Sequence, residues 1–490
     1  MALSASMAWE VRSGGSSTNS GGFKAGASGT DRTQQDAAYI TFTDLVIDAV
    51  DNTKVTSAGN PFDSTSPGNT IRVSGGTGFT TGTYEILSVA TGVATLDRAV
   101  GTTSSTGGTG TLGGGKVRLE DVDSVIVAGN TVWMLGGLTY TRTTTNTLTA
   151  DGTAAAPIRV VGYAAGSRTD TALTEASMPI MTSATNSVAL LSLNAAPFWS
   201  FRNIKFTHTA GTRGAGVVNV TAVTDYGPRF ENCVWDGCLS AVVQGASAGL
   251  AYRGAFLFNC TIRNCTSHAI NWGVGTTANN QLYCDSCYFH DNAGACVTTT
   301  AAALTGFYVA RCVFDSSTGA SGYGVWVQST TGGPLNATLQ IDSCVFWNNA
   351  QSGLRFEYTT GRHALVQVTN NIFVSNGAYG VSCATAGVLD SNGGAFARCN
   401  AFYGNSTNPR QNFVTGEGDV TMTGTPFNNA ASADFTLDNT ASEGAAIRAV
   451  NFPTSVGAVG ATAGTNYGDI GALQAQATAG GGTVAYGFAG

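Results

Sequence analysis

Eight short motifs share one pattern, an apolar or small residue followed two places later by an aromatic residue or Ile. In order they are Asn203-Ile-Lys-Phe206, Asn232-Cys-Val-Trp235, Asn259-Cys-Thr-Ile262, Ser286-Cys-Tyr-Phe289, Arg311-Cys-Val-Phe314, Ser343-Cys-Val-Phe346, Asn370-Asn-Ile-Phe373 and Cys399-Asn-Ala-Phe402. Their second residues fall at 204, 233, 260, 287, 312, 344, 371 and 400, so they recur every 25 to 32 residues. The alternation is that of one face of a strand. A second alternating stretch follows six of the motifs and opens on a small residue: Ala241, Ala269, Ala295, Gly324, Gly353 and Gly380. A third completes the repeat, as in Phe256-Leu-Phe258, Gln281-Leu-Tyr283, Phe307-Tyr-Val309, Leu339-Gln-Ile341 and Leu365-Val-Gln-Val368.

Three short strands per turn of about 27 residues predict a right-handed single-stranded parallel β-helix. A propeller blade needs four strands over roughly 40 residues, and helical repeats need a 3.6-residue period that is missing here. Stacked turns lie about 4.8 Å apart, so equivalent positions form columns. Cys233, Cys260, Cys287, Cys312 and Cys344 become a thiol ladder continued by Asn371 and Asn400. Cys238, Cys265, Asn292, Ser317, Asn349, Asn376 and Asn405 form a second column, where Asn suits a tight left-handed turn and stacked amides bond along the column.

Before residue 115 the texture changes. Asn69–Val73, Thr83–Val89 and Val93–Leu96 read as strands of a small β module, and the Gly-rich run Gly101–Gly115 as a linker. The expected division is an N-terminal strand, glycine loop and module over 1–115, a β-helix over 116–425, and a closing segment with a loose Gly-rich tail over 426–490.

Composition narrows the function. Charged residues are 11% and hydrophobic residues 43% of the 490, with 65 glycines and a net charge of −7. Nucleic-acid binding needs clustered Lys and Arg, and membrane insertion needs about 18 consecutive apolar residues, so neither partner is expected. The first ten residues lack a basic and an apolar region of the secretory kind, and the eleven cysteines read as reduced, buried thiols made in a cytoplasm.

Several segments carry a family resemblance. Ala128-Gly-Asn-Thr-Val-Trp133, Leu138-Thr-Tyr-Thr141 and Ala156-Pro-Ile-Arg-Val-Val-Gly-Tyr163 resemble the opening rungs of pectate-lyase-like right-handed β-helix proteins. Asp434-Phe-Thr-Leu437 and Tyr467-Gly-Asp-Ile-Gly-Ala-Leu-Gln474 resemble their closing segment, and Trp9-Glu-Val-Arg12 with Asn19-Ser-Gly-Gly-Phe23 their N-terminal strand and loop. Insertion of a β module after that loop resembles virion proteins of tailed bacteriophages. The resemblance implies a virion location, other virion proteins and host surface polysaccharide as partners, and a homo-oligomer such as a trimer. Pectate lyases bind calcium through clustered acids, and no matching Asp cluster is found here, so no cofactor is expected.

Three residue sets bear on chemistry. Cys284-Asp-Ser-Cys287 with His290 has zinc-like spacing, but an odd separation in an extended segment would turn the two thiols to opposite faces. Asp236, Arg263, His290, Asp315, Trp347 and Tyr403 form a column expected to face solvent, with Asp236–Arg263 and His290–Asp315 as surface ion pairs. The outward face of the second strand carries Asn271, Trp326, Gln328, Arg355 and Glu357, with Tyr358 beside them; aromatics flanked by amides and charges suit sugar rings. Two functions stay open. One is a non-enzymatic structural virion protein, either tail-associated and adhesive or capsid-decorating. The other is a tailspike-type polysaccharide depolymerase, a lyase or glycosidase, for which no acid pair is assembled. A bacterial surface adhesin fits the N-terminus poorly.

Overall fold

The computed structural model describes residues 3–166, 168–194, 196–220, 227–244, 254–272, 280–299, 304–328, 338–357, 365–387, 389, 395–438, 440 and 443–447. The chain forms two compact units, Met1–Thr261 and Ile262–Gly490.

In the first unit the strands Met7–Val11, Thr131–Leu135, Ile158–Tyr163, Trp199–Arg202, Arg229–Glu231 and Ala255–Phe258 stack in parallel as one sheet. Thr139–Arg142, Ile180–Ser183, Lys205–His208 and Val234–Asp236 form the second sheet. Asn146–Leu148, Leu191–Asn194, Val217–Val220 and Val242–Gln244 form the third. Each rung contributes one strand to each sheet, so the fold is a parallel β-solenoid. The edge of its first sheet is closed by the antiparallel strand Gly22–Lys24, which pairs with Met7–Val11. An open edge would offer unpaired N–H and C=O groups to other chains.

Inserted after that strand is a closed six-stranded barrel with the core Phe42, Leu45, Ile47, Ile71, Val73, Ile86 and Leu112. The three strands read from sequence are present, at Thr70–Gly75, Gly82–Ala90 and Val93–Leu96. The reading of Gly101–Gly115 as a linker is corrected, because Gly108–Leu112 is the strand that closes the barrel against Ile40–Ile47 and Thr70–Gly75. Glycine is required there by close approach. A Cβ on Gly110 would lie 2.4 Å from the Arg72 carbonyl oxygen, so the low-complexity look of this run hides a tightly paired strand.

The second unit repeats the three-sheet plan. Its second sheet holds Tyr288–His290, Val313–Asp315, Val345–Trp347, Ile372–Val374, Ala401–Tyr403 and Val420–Thr421, paired in parallel. The predicted aromatics line the interior as a continuous stack. Ring centroids of Phe289, Phe314, Phe346, Phe373 and Phe402 are successively 5.0, 4.9, 4.7 and 5.2 Å apart. The small residues that open the third-sheet strands make room for these rings. A Cβ on Gly324 would meet Phe346 Cδ1 at 2.6 Å.

All eleven cysteines are buried thiols outside any disulfide, and the predicted ladder has a specific role. The corner between the first and second sheets leaves a backbone N–H without a sheet partner. Cys287 donates that N–H to Cys312 Sγ (3.4 Å), Cys312 to Cys344 Sγ (3.5 Å), Cys344 to Asn371 Oδ1 (2.9 Å) and Asn371 to Asn400 Oδ1 (3.1 Å). Cys and Asn both serve in this column because each offers an acceptor to the rung before. The second column does the same, with Asn349 and Asn376 Nδ2 donating to Asn376 and Asn405 Oδ1 at 2.9 and 2.8 Å. The left-handed residues are not these ladder members but their predecessors, Asp291, Ser316, Asn348 and Ser375 (φ 53° to 55°).

Two further expectations are corrected. Cys284 and Cys287 both point into the core, because the left-handed Ser286 between them resets the alternation. The column expected to face solvent is covered in this unit by a C-terminal hairpin. Phe427–Asn429 pairs with Asp434–Leu437, and Phe427, Phe435, Leu437 and Ile447 pack on Val313, Val345, Ile372, Val374 and Ala401. Asp315 is consequently 6% exposed and takes a hydrogen bond from the Tyr288 hydroxyl (2.8 Å), while His290 pairs with Asp291 (2.9 Å) and not with Asp315. Tyr467–Gln474 lies outside the described residues.

Candidate functional site

The face singled out from the sequence is formed by the third sheet of the second unit, whose strands are Ile270–Trp272, Val297–Thr299, Val325–Gln328, Leu354–Glu357, Tyr379–Cys383 and Asn408–Gln411. Alternation sends Ile270, Val297, Val325, Val327, Leu354 and Phe356 into the core and their neighbours outward. Parallel register then aligns one outward residue per rung: Asn271, Thr298, Trp326, Arg355, Ser382 and Gln411. Gln328 pairs with Glu357 in the neighbouring column. Four of the predicted residues therefore fall together, Trp326 beside Arg355 and Gln328 beside Glu357. Asn271 stands two rungs before Trp326, separated from it by Thr298. Tyr358 lies outside the described residues.

Trp326 is half-buried and held by two residues that strand alternation does not reveal. The His268 ring meets it edge-on at 5.8 Å, and the Tyr323 ring lies tilted against it at 5.1 Å. Both come from the corners before the third sheet. His268 Nδ1 accepts the Ala295 N–H at 3.0 Å, which fixes a neutral ring with its proton on Nε2, and burial holds the ring's pKa below its usual value. Tyr323 is anchored by its carbonyl, which accepts the Cys296 N–H (2.9 Å) and the Ser317 hydroxyl (3.2 Å). Burial raises the Tyr323 phenol; nearby Arg355 opposes that shift and Glu357 adds to it.

Arg355 extends along the column, with Nη1 3.4 Å from both Ser382 Oγ and Gln411 Oε1, and Nε 3.8 Å from Glu357 Oε1. Gln328 Nε2 donates to Thr298 Oγ1 at 3.3 Å. The short Thr298 and Ser382 are buried between longer neighbours, at 1% and 0% exposure. Three shielded atoms of the column have no hydrogen-bond partner among the described residues: Asn271 Oδ1, Trp326 Nε1 and Arg355 Nε. Such atoms usually carry a partner or bound water, so this column has donors and an acceptor to spare. Glu357 is the one carboxylate among the described residues of the face, and no group of three or more metal-ligating side chains gathers among the described residues.

The fold and this face define a parallel β-solenoid with a polar, aromatic-bearing side. No family model matches the chain, and no curated protein matches it. Among solved structures it is similar to pectate lyase Pel9A, at 14% identity over 74% of this chain and 92% of that one, with a TM-score of 0.46. It is also similar to an alginate lyase from Paenibacillus sp., at 13% identity over 61% of this chain and 96% of that one, with a TM-score of 0.41. A third is ORF18 of Geobacillus virus E2, at 14% identity over 62% of this chain and 56% of that one, with a TM-score of 0.27.

Proposed function

We propose that the protein binds a polysaccharide along the third-sheet face of its second unit, without cleaving it, as a structural component of a tailed-phage virion. The observation that carries the binding reading is the column itself. Trp326, braced by His268 and Tyr323, offers a ring face to the C–H side of a sugar, and the partly exposed Arg355, Gln328 and Glu357 side chains offer hydrogen bonds to its hydroxyls. Rungs repeat about every 4.8 Å, so an extended chain along the face meets the partly exposed Asn271, Trp326, Arg355 and Gln411 of one column. Binding is favoured over hydrolysis because glycosidases use two carboxyls within about 5–10 Å, and Glu357 stands alone among the described residues here. The virion setting rests on the barrel placed after the N-terminal strand and loop. Other virion proteins and a second copy of this chain are the partners that setting supplies.

The test is to incubate the purified protein with host capsular and cell-wall polysaccharides, measuring co-sedimentation and the release of new reducing or unsaturated ends. Binding that is lost in Trp326→Ala, with no new ends formed, is the expected result. Turnover abolished by Glu357→Gln would replace this reading with the depolymerase.

A further inference from the structure

The interior of the first rung of the Met1–Thr261 unit is not filled. Tyr140 and Arg142 point inward from one strand and Asn146 and Leu148 from the next; in the following rung Met181 stands at the Tyr140 position, Leu191 at the Asn146 position and the smaller Ser183 at the Arg142 position. A cavity of about 250 Å³ lies against Arg142, Asn146, Tyr140, Met134, Met181 and Arg118. Asn146 is 1% exposed, and neither its Oδ1 nor its Nδ2 has a hydrogen-bond partner. Arg142, 5% exposed, gives Nη2 to Glu120 and leaves Nε unpartnered. An amide without partners and a guanidinium with its Nε unmet, buried inside the first rung, cost stability. A packed Leu would remove that cost.

We propose that this cavity is a binding site for a small hydroxylated carboxylate of at most monosaccharide size. The charge sets the class. Two guanidiniums, Arg142 and Arg118, line the space, whereas the carboxylates near them, Glu120 paired with both and Asp121 close to Arg118, lie outside its lining. The ligand carboxylate accepts from Arg142 Nε and Asn146 Nδ2, and a hydroxyl donates to Asn146 Oδ1. Met134, Met181 and the Tyr140 ring cover the carbon frame. The Tyr140 hydroxyl is already engaged with the Val11 and Leu135 carbonyls at 3.0 Å each, so it braces the wall. The size limit follows from the volume, which lies below the roughly 300–1,000 Å³ of drug-sized pockets. Arg118, 56% exposed, stands where such a ligand enters.

The experiment is calorimetric titration of the full chain with D-glucuronate, D-tartrate and D-glucose, repeated on Asn146→Leu and Asn146→Asp. Saturable binding of an acid, with glucose at least about tenfold weaker and both variants weakened about tenfold or more, is expected, one charged hydrogen bond accounting for that factor. Binding of glucuronate but not tartrate identifies a sugar acid; equal binding of the two identifies a small free hydroxy acid. Unfolding curves of both variants check that the first rung is intact. Equal binding of glucose, binding unchanged in folded Asn146→Leu, or no heat with any of the three would overturn the proposal, leaving a water-filled cavity.

Discussion

Removing the Phe346 ring tests the architecture where it is most explicit. The side chain is 0% exposed and stacks between Phe314 (4.9 Å, 15°) and Phe373 (4.7 Å, 9°). Phe→Ala in a packed core costs about 3–5 kcal/mol. Two aromatic pairs, each about 0.5–1.5 kcal/mol beyond area burial, place Phe346→Ala in the upper part of that range. Phe346→Leu keeps most of the volume and loses the two pairs, so a cost of about 1–3 kcal/mol is expected for it. Because each rung touches only its neighbours, the damage is expected to spread locally first. Cys344 and Cys312, buried in the same rung and the one before, report on it. The assay is urea unfolding combined with timed iodoacetamide labelling, mapped cysteine by cysteine by mass spectrometry. In Phe346→Ala, Cys344 and Cys312 are expected to react well before Cys238 and at lower urea than in the parent protein. An unchanged midpoint with unchanged labelling at both thiols would refute the stacked interior.

Three further outcomes follow from named groups. In the native protein Cys260, Cys287 and Cys312 are expected to resist alkylation that denatured protein undergoes fully, since all are buried and burial raises the Cys312 thiol well above its usual pKa; rapid native labelling would contradict the ladder. Asp315 has its pKa raised by burial, so its contribution is most favourable below the ordinary carboxylate value of 3.8 and is lost as pH rises through its folded pKa. Asp315→Asn should therefore gain stability relative to the parent as pH rises from 3.8 through the folded pKa of Asp315, measured by thermal unfolding; an equal pH slope in both would count against the buried carboxyl. His268 has its pKa lowered, so the neutral ring that accepts the Ala295 N–H persists above 6.5 and is lost as pH falls through its folded pKa. An acid transition in Trp fluorescence, centred below 6.5 and missing in His268→Gln, is expected; its persistence in the variant would assign it elsewhere.

The solenoid was legible because stacking repeats the same requirement at every rung. An aromatic inside, a small residue facing it, and an acceptor at each corner leave a mark every 25 to 32 residues. Period-two reasoning failed where a left-handed residue interrupts a strand, as at Ser286, which turns Cys287 to the same side as Cys284. It also failed where a distant segment supplies the environment. Nothing near Asp315 or Val374 announces the Phe427–Leu437 hairpin that covers them, and nothing within Gly108–Leu112 announces the barrel it closes. At the candidate site the strand residues Trp326, Gln328, Arg355 and Glu357 followed from alternation and register. His268 and Tyr323 sit on corners, where no periodicity assigns a face, and only their contacts with Trp326 reveal them.

The most direct test of the central claim is equilibrium binding of the polysaccharide that co-sediments with the protein, measured for the parent and for Trp326→Ala, Arg355→Ala and, as a control away from the column, Phe396→Ser, whose side chain is 47% exposed on the first sheet. Loss of a stacked ring or a charged hydrogen bond corresponds to about 1–3 kcal/mol, or roughly five- to 150-fold in Kd. The account predicts losses of that order in the first two variants, none in the third, and no change in glycan chain length throughout. Equal affinity in the parent, Trp326→Ala and Arg355→Ala would contradict it.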